Sequence, residues 1–197
     1  VKDITLDCKT VVKETDSLRH LGEIMRENDL KSVPVVDKDE RLIGIVTVSD
    51  LAQRYFKELS MQNLADAGVS FRDVIRVIDG EVIVNGDEGG KIRGNVRIAA
   101  GSISMIQDVV KEHDVVLIGD RRDETLIDCL KQGIDCMIVT GNGRVSPGVI
   151  EEAEERHMLI INTPYDTYTC ARLINQCVPV KRIMQNEIVA FKPLDLL

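Results

Sequence analysis

A chain of 197 residues with 44% hydrophobic content can bury one core, or two small ones, without metals or disulfides. Its net charge of −8 and lack of any Lys/Arg block argue against a nucleic-acid backbone or an anionic membrane as the main partner. No apolar run approaches a membrane span, the opening Val1-Lys2-Asp3-Ile4 is not signal-like, and Cys8, Cys129, Cys136, Cys170 and Cys177 form no C-x-x-C pair, so a cytoplasmic protein with reduced thiols is expected.

In chain order, residues 10–12 read as a short strand and residues 17–28 as a helix with one apolar stripe of Leu18, Leu21, Ile24 and Met25. Residues 33–36 form an apolar β-branched strand, 37–40 a polar turn and 42–46 a second strand. Gly44 inside that strand weakens it unless another backbone or a ligand must come close. Thr47 and Asp50 then fit a hydroxyl N-cap with an acid three residues on, opening a helix over 51–59. Two roles fit this pair. It can simply cap the helix, or Thr47 and the free N–H groups of the helix start can face a phosphate while the Asp50 carboxylate accepts from both hydroxyls of a ribose.

The segment from Val11 to Phe56, with its helix, V-P-V-V-D and G-I-V-T-V-S-D, resembles the cystathionine β-synthase (CBS) motif, whose pattern is a helix, h-P-V-h-D, a turn and G-h-h-T-x-x-D. The resemblance implies a β-α-β-β-α unit that pairs with a second motif, binds adenosine nucleotides in the cleft and regulates an attached protein. It implies phosphate and ribose contacts at Thr47, Ser49 and Asp50, and adenine against main-chain groups at Ser32 and Val33.

The first unit is expected to end near Gly68. Beyond Ser70, residues 74–77 read as a strand or a short helix, and 81–84 and 95–99 as strands. The intervening N-G-D-E-G-G-K-I-R-G is a turn or loop; a phosphate loop would need glycine where Asn85 stands and Ser/Thr where Ile92 stands. Helices over 105–112, 124–131, 147–157 and 167–175 alternate with continuous apolar strands over 115–119, 136–140 and 158–162. That beat predicts a mostly parallel sheet covered on both faces. Its strand ends collect a polar rim of Asp120, Arg121, Thr140, Asn142, Thr163 and Asp166, either a ligand edge or ordinary capping chemistry. The cysteines are expected in the core, and His20, His113 and His157 as isolated surface residues.

A second resemblance, over residues 71–175, rests on G-D-R-R-D, G-I-D-C-M-I-V-T-G-N, the P-G-V-I helix and N-T-P-Y-D-T-Y-T, which look like the DRTGG domain. Gly141-Asn142 replaces that family's usual double glycine, and no catalysis is assigned to it. Residues 189–196 then align in one register on residues 11–18, where a partner motif would begin. The mixed α/β order is therefore a first CBS motif (1–68), a DRTGG domain (69–178) and the start of a second CBS motif (179–197), with the rest of that motif expected beyond Leu197. This layout resembles the regulatory insert of nucleotide-controlled family II inorganic pyrophosphatases of clostridial type. It implies a non-catalytic homodimeric region that binds AMP, ADP, ATP or a diadenosine polyphosphate such as the tetraphosphate, and controls attached pyrophosphatase catalytic domains. Manganese or cobalt is expected only in those domains, whose D-H-H signature this sequence lacks. The rival readings are an acyl- or phosphoryl-transfer fragment using Asp120, Arg121 and Asp166, and a purely structural dimerisation module.

Overall fold

The structure, a computed structural model, describes residues 10–57, 64–99, 103–119 and 123–187. The chain divides into two compact units, one drawn from Val1–Glu58 with Pro179–Leu197 and the other from Leu59–Val178.

The first unit is built on a three-stranded sheet in the order β1 (Val12–Lys13), β2 (Ser32–Val36) and β3 (Leu42–Thr47), with β1 parallel and β3 antiparallel to β2. Alternation decides which side chains are buried: Val33, Val35 and Val46 are fully enclosed. Helix α1 (Leu18–Glu27) starts where the Ser17 hydroxyl accepts from the His20 N–H at 3.2 Å, and it buries Leu18, Leu21 and Met25 while Ile24 stays half-buried. The turn between β2 and β3 is closed by the Asp37 carboxylate, which accepts from the N–H groups of Asp39 and Arg41 at 2.8 and 2.9 Å. Helix α2 (Val48–Lys57) follows β3 directly.

The close approach that Gly44 calls for comes from the chain itself. After a short 3₁₀ turn (Val180–Arg182), Gln185 exchanges two backbone hydrogen bonds with Ile45, of 2.9 and 3.1 Å. A Cβ on Gly44 would lie 2.9 Å from the Gln185 carbonyl and 3.0 Å from the Met184 sulfur. Glycine is therefore required by a neighbouring backbone.

In the second unit, a single helical turn α3 (Leu64–Ala67) ends at Gly68, whose φ of +69° suits glycine. Helix α4 (Phe71–Val77) resolves the segment that sequence left between strand and helix. Its Ser70–Asp73 capping box and the burial of Phe71, Val74 and Val77 at helical spacing decide the matter. The sheet runs β4 (Glu81–Val84), β8 (Leu159–Thr163), β7 (Cys136–Thr140), β6 (Val115–Ile118), β5 (Val96–Ile98); β4 is antiparallel to β8 and the other neighbours are parallel. Helices α5 (Ile103–Val109), α6 (Asp123–Lys131) and α7 (Pro147–Glu155) link consecutive parallel strands, and α8 (Thr167–Ile174) follows the last. Val116, Ile118, Met137, Val139 and Ile160 pack with residues of α5, α6 and α7 in one core. The alternate residues Val115, Leu117, Ile138 and Leu159 are buried as well, on the face where α8 meets β6 and α4 meets α8. Two-sided burial is why these strands read as unbroken apolar runs. Helix α5 ends earlier than the spacing predicts because the chain turns at His113, with φ +67°. Residues 58–63 and 188–197, which carry the expected end of α2 and the internal repeat, lie outside the described residues.

Substituting Gly44→Val should destabilise the fold by about 1–3 kcal/mol, since the side chain must displace backbone at Gln185. Gly148→Ala, exposed in α7 with nothing near its added Cβ, should be neutral or stabilising by up to about 0.5 kcal/mol. Urea midpoints of the two variants check this pair.

Candidate functional site

The antiparallel register of β2 and β3 sets Thr47 opposite Ser32, and the Val48 N–H donates to the Lys31 carbonyl at 3.0 Å, so the end of β3 and the start of α2 sit beside the start of β2. Ser32, Val33, Thr47, Ser49 and Asp50 are thereby brought together. The Val33 side chain is core, leaving only its main chain for contact, whereas Ser32 and Ser49 are exposed and Thr47 and Asp50 half-buried. Among the described residues β1 meets β2 only at Val35 and Val36, and no described strand covers the outer edge of β2 at Ser32 and Val33.

Thr47 and Asp50 form a reciprocal capping box. The Thr47 N–H and hydroxyl both donate to Asp50 Oδ2, at 2.9 and 2.6 Å, and the Asp50 N–H donates back to Thr47 Oγ1 at 3.2 Å. The box satisfies Asp50's own N–H and the Lys31 carbonyl takes that of Val48, so Ser49 offers the first helical N–H with no intrahelical partner by geometry. The Asp50 carboxylate has a further neighbour that spacing gave no sign of: Gln185 Nε2 donates to Oδ1 at 3.1 Å and to Oδ2 at 3.2 Å. Partial burial pushes the Asp50 carboxyl up, but hydrogen bonds from the Thr47 side chain, the Thr47 backbone and Gln185 together outweigh it and hold it below its ordinary 3.8. At neutral pH the site is thus a fixed carboxylate at the positive end of a helix, beside a strand edge that no described strand covers.

In the second unit, the described rim residues Thr140, Thr163 and Asp166 are spent on structure, while Asn142 is exposed in the turn after β7 with a φ of +53°. Thr140 Oγ1 meets the Ile118 carbonyl at 3.3 Å and Thr167 Oγ1 at 2.8 Å, and Thr163 donates to the Ile78 carbonyl at 2.6 Å. Asp166 caps α8 by accepting from the Thr169 N–H and hydroxyl, which hold its carboxyl below the usual range. Asp120 and Arg121 lie outside the described residues. The parallel strands β5 to β8 also lie in sequence order, without the reversal that opens a ligand crevice in doubly wound sheets.

At the opposite, amino-terminal ends of the strands is a cavity of about 640 Å³ that includes Lys91, Arg93, His113, Asp135, Arg156 and His157 in its lining. His113 is not isolated as its sequence surroundings suggested, because its Nδ1 lies 3.0 Å from Asp135, which also holds Arg93 in a two-pronged pair. Cys129, Cys136, Cys170 and Cys177 are buried and form no disulfide with one another; burial pushes Cys129 up to about 11 and Cys170 up to about 12, so both stay thiols. Among the described residues no cluster of three or more His, Cys, Asp or Glu could hold a metal ion, and no helix is long and apolar enough to cross a membrane.

A carboxyl whose folded pKa is depressed adds stability above its ordinary value, and that stability is lost as pH falls through the folded value. Asp50→Asn should therefore lose stability at pH 7 and show a shallower decline below about pH 4 than the parent, which urea midpoints across pH will report.

Comparison with known proteins places this geometry in context. The DRTGG domain profile matches residues 73–177 and the CBS domain profile residues 1–57. Over all 197 residues the chain is 30% identical to a probable manganese-dependent inorganic pyrophosphatase of Thermotoga maritima and 29% identical to a cobalt-dependent inorganic pyrophosphatase of Clostridium perfringens. It covers 36% of each, and so spans about a third of their length. The crystal structure of the CBS and DRTGG domains of the regulatory region of Clostridium perfringens pyrophosphatase, complexed with its activator diadenosine tetraphosphate, matches with a TM-score of 0.86 at 28% identity, covering 95% of this chain and 81% of that one. The likeness is to a regulatory region, CBS and DRTGG domains together, and not to a catalytic domain. With the DRTGG profile spanning more than half of its length and a CBS domain ahead of it, the chain belongs to the DRTGG domain family.

Proposed function

We propose that this chain is a non-catalytic adenine-nucleotide sensor that controls an attached metal-dependent inorganic pyrophosphatase. The observation that carries the reading is the ionised, capped Asp50 at the start of α2, next to a stretch of β2 that no described strand covers, in a chain that matches a region crystallised with diadenosine tetraphosphate. In this reading the Asp50 carboxylate takes the ribose hydroxyls, Thr47 and Ser49 meet phosphate at the helix start, and adenine pairs with main-chain groups of Ser32 and Val33. AMP, ADP, ATP and diadenosine polyphosphates share these parts. Because Leu64–Ala67 fall in the second compact unit, the first CBS motif in this reading ends at about residue 58 instead of near Gly68; the DRTGG domain then runs to 178 and 179–197 start the second motif, in a cytoplasmic homodimer. Manganese or cobalt belongs to the catalytic domains. Control requires two states of the protein that differ in affinity for the nucleotide. The acyl- or phosphoryl-transfer alternative draws no support from Asp166, whose carboxylate is committed to capping α8.

Isothermal titration of the full-length protein, with both CBS motifs whole, should give binding of AMP and diadenosine tetraphosphate, and Asp50→Ala should weaken it by about 1–3 kcal/mol through loss of a charged acceptor. Unchanged affinity in the folded variant contradicts the ribose assignment, and no binding by the parent favours a purely structural module. Thr47→Val should weaken AMP more than adenosine, and equal losses would reduce Thr47 to a cap. Sedimentation of nucleotide-free protein should find a dimer at micromolar concentration; a monomer counts against the homodimer.

A further inference from the structure

The Asp50 carboxylate is more fully occupied than a ribose-binding group should be. A carboxylate has about four lone-pair positions. Oδ2 accepts from the Thr47 N–H at 2.9 Å, the Thr47 hydroxyl at 2.6 Å and the Gln185 amide at 3.2 Å, and Oδ1 accepts from the same amide at 3.1 Å. A ribose diol brings two O–H donors and needs two acceptor positions facing one way. With Gln185 in place, about one remains, on Oδ1. The two Thr47 bonds belong to the cap and cannot leave without fraying α2, so Gln185 is the group that can give way.

From this we infer that Gln185 is a specificity-determining residue of the nucleotide site, whose amide competes with the ribose diol for Asp50 and must swing aside for the diol to bind. The inference rests on the nucleotide reading above. The geometry suits such a part. The Gln185 backbone is fixed to β3 by its two hydrogen bonds with Ile45, and Met184 packs at Gly44, so the residue stays beside the site whichever rotamer it takes. Its side chain is exposed, so once its bonds to Asp50 break it can turn into solvent on the timescale of surface rotamers. Gln185 also sets a threshold: a ligand with two well-placed hydroxyls replaces the amide on Asp50 and recovers the lost bonds, whereas a ligand lacking the diol gains nothing from displacing it. Occupancy is felt directly in residues 183–187, because the group released there is the side chain of Gln185, 135 positions from Asp50 in sequence.

The test titrates AMP and 2′,3′-dideoxy-AMP into the parent, Gln185→Ala and Gln185→Met, the last keeping the length of the side chain without its donor. Both variants should bind AMP about 3- to 10-fold more tightly, with dideoxy-AMP unchanged. In ligand-free protein, carbon-13 NMR of the Asp50 carboxyl should show its pKa rising in both variants as the amide donor is lost. Parent binding and the Asp50→Ala variant judge the nucleotide reading. If the parent binds AMP and Asp50→Ala weakens it, but removal of the Gln185 amide leaves AMP affinity unchanged or lowers it, the competition is overturned and the nucleotide reading stands. An equal gain for AMP and dideoxy-AMP overturns the diol specificity, and no AMP binding by the parent overturns both.

Discussion

Two backbone hydrogen bonds between Ile45 and Gln185 join the last described segment of the chain to β3, and the candidate site depends on that junction. It accounts for the glycine at position 44, since any side chain there would strike the Gln185 carbonyl, and it delivers the Gln185 amide to the Asp50 carboxylate. The residues it joins are separated in sequence by the whole of the second unit, Leu59–Val178. Chain entropy permits this, because the cost of closing a loop grows only slowly with its length and the intervening residues have a core of their own.

The two capping boxes show why a motif alone does not make a site. Ser70–Asp73 repeats the Thr47–Asp50 chemistry closely, with one carboxylate oxygen receiving both the N–H and the hydroxyl of the N-cap residue. Asp73 starts a helix that buries Phe71, Val74 and Val77, which is explanation enough for it. Asp50 differs through its surroundings: a donor from a remote segment and, among the described residues, a strand edge with no neighbour at Ser32 and Val33. Those additions, and not the box, set Asp50 apart from Asp73.

Much of this was legible in the sequence, for reasons that particular residues make plain. Strands β6 and β7 announce themselves because two-sided burial demands unbroken apolar runs, and the helices between them fit the connections a parallel sheet requires. Thr47 and Asp50 were readable because a cap has fixed spacing, and Ser32 follows once β2 and β3 are paired. Helix α4 was ambiguous because Val74-Ile75-Arg76-Val77 is β-branched; the Ser70-x-x-Asp73 signal four residues earlier was the better guide. Gln185 was not legible, because its role comes from a tertiary contact with no local pattern. Gly44 gave the only hint of it, by requiring that something lie close without saying what.

The account turns on one contact, that of a nucleotide ribose with Asp50. A crystal structure of this chain with AMP or diadenosine tetraphosphate examines it directly. The account predicts both ribose hydroxyls within hydrogen-bond distance of the Asp50 carboxylate, phosphate near Thr47 and Ser49, and the Gln185 amide turned away. A nucleotide seated elsewhere, or held at the start of α2 with its ribose out of reach of Asp50, would contradict it.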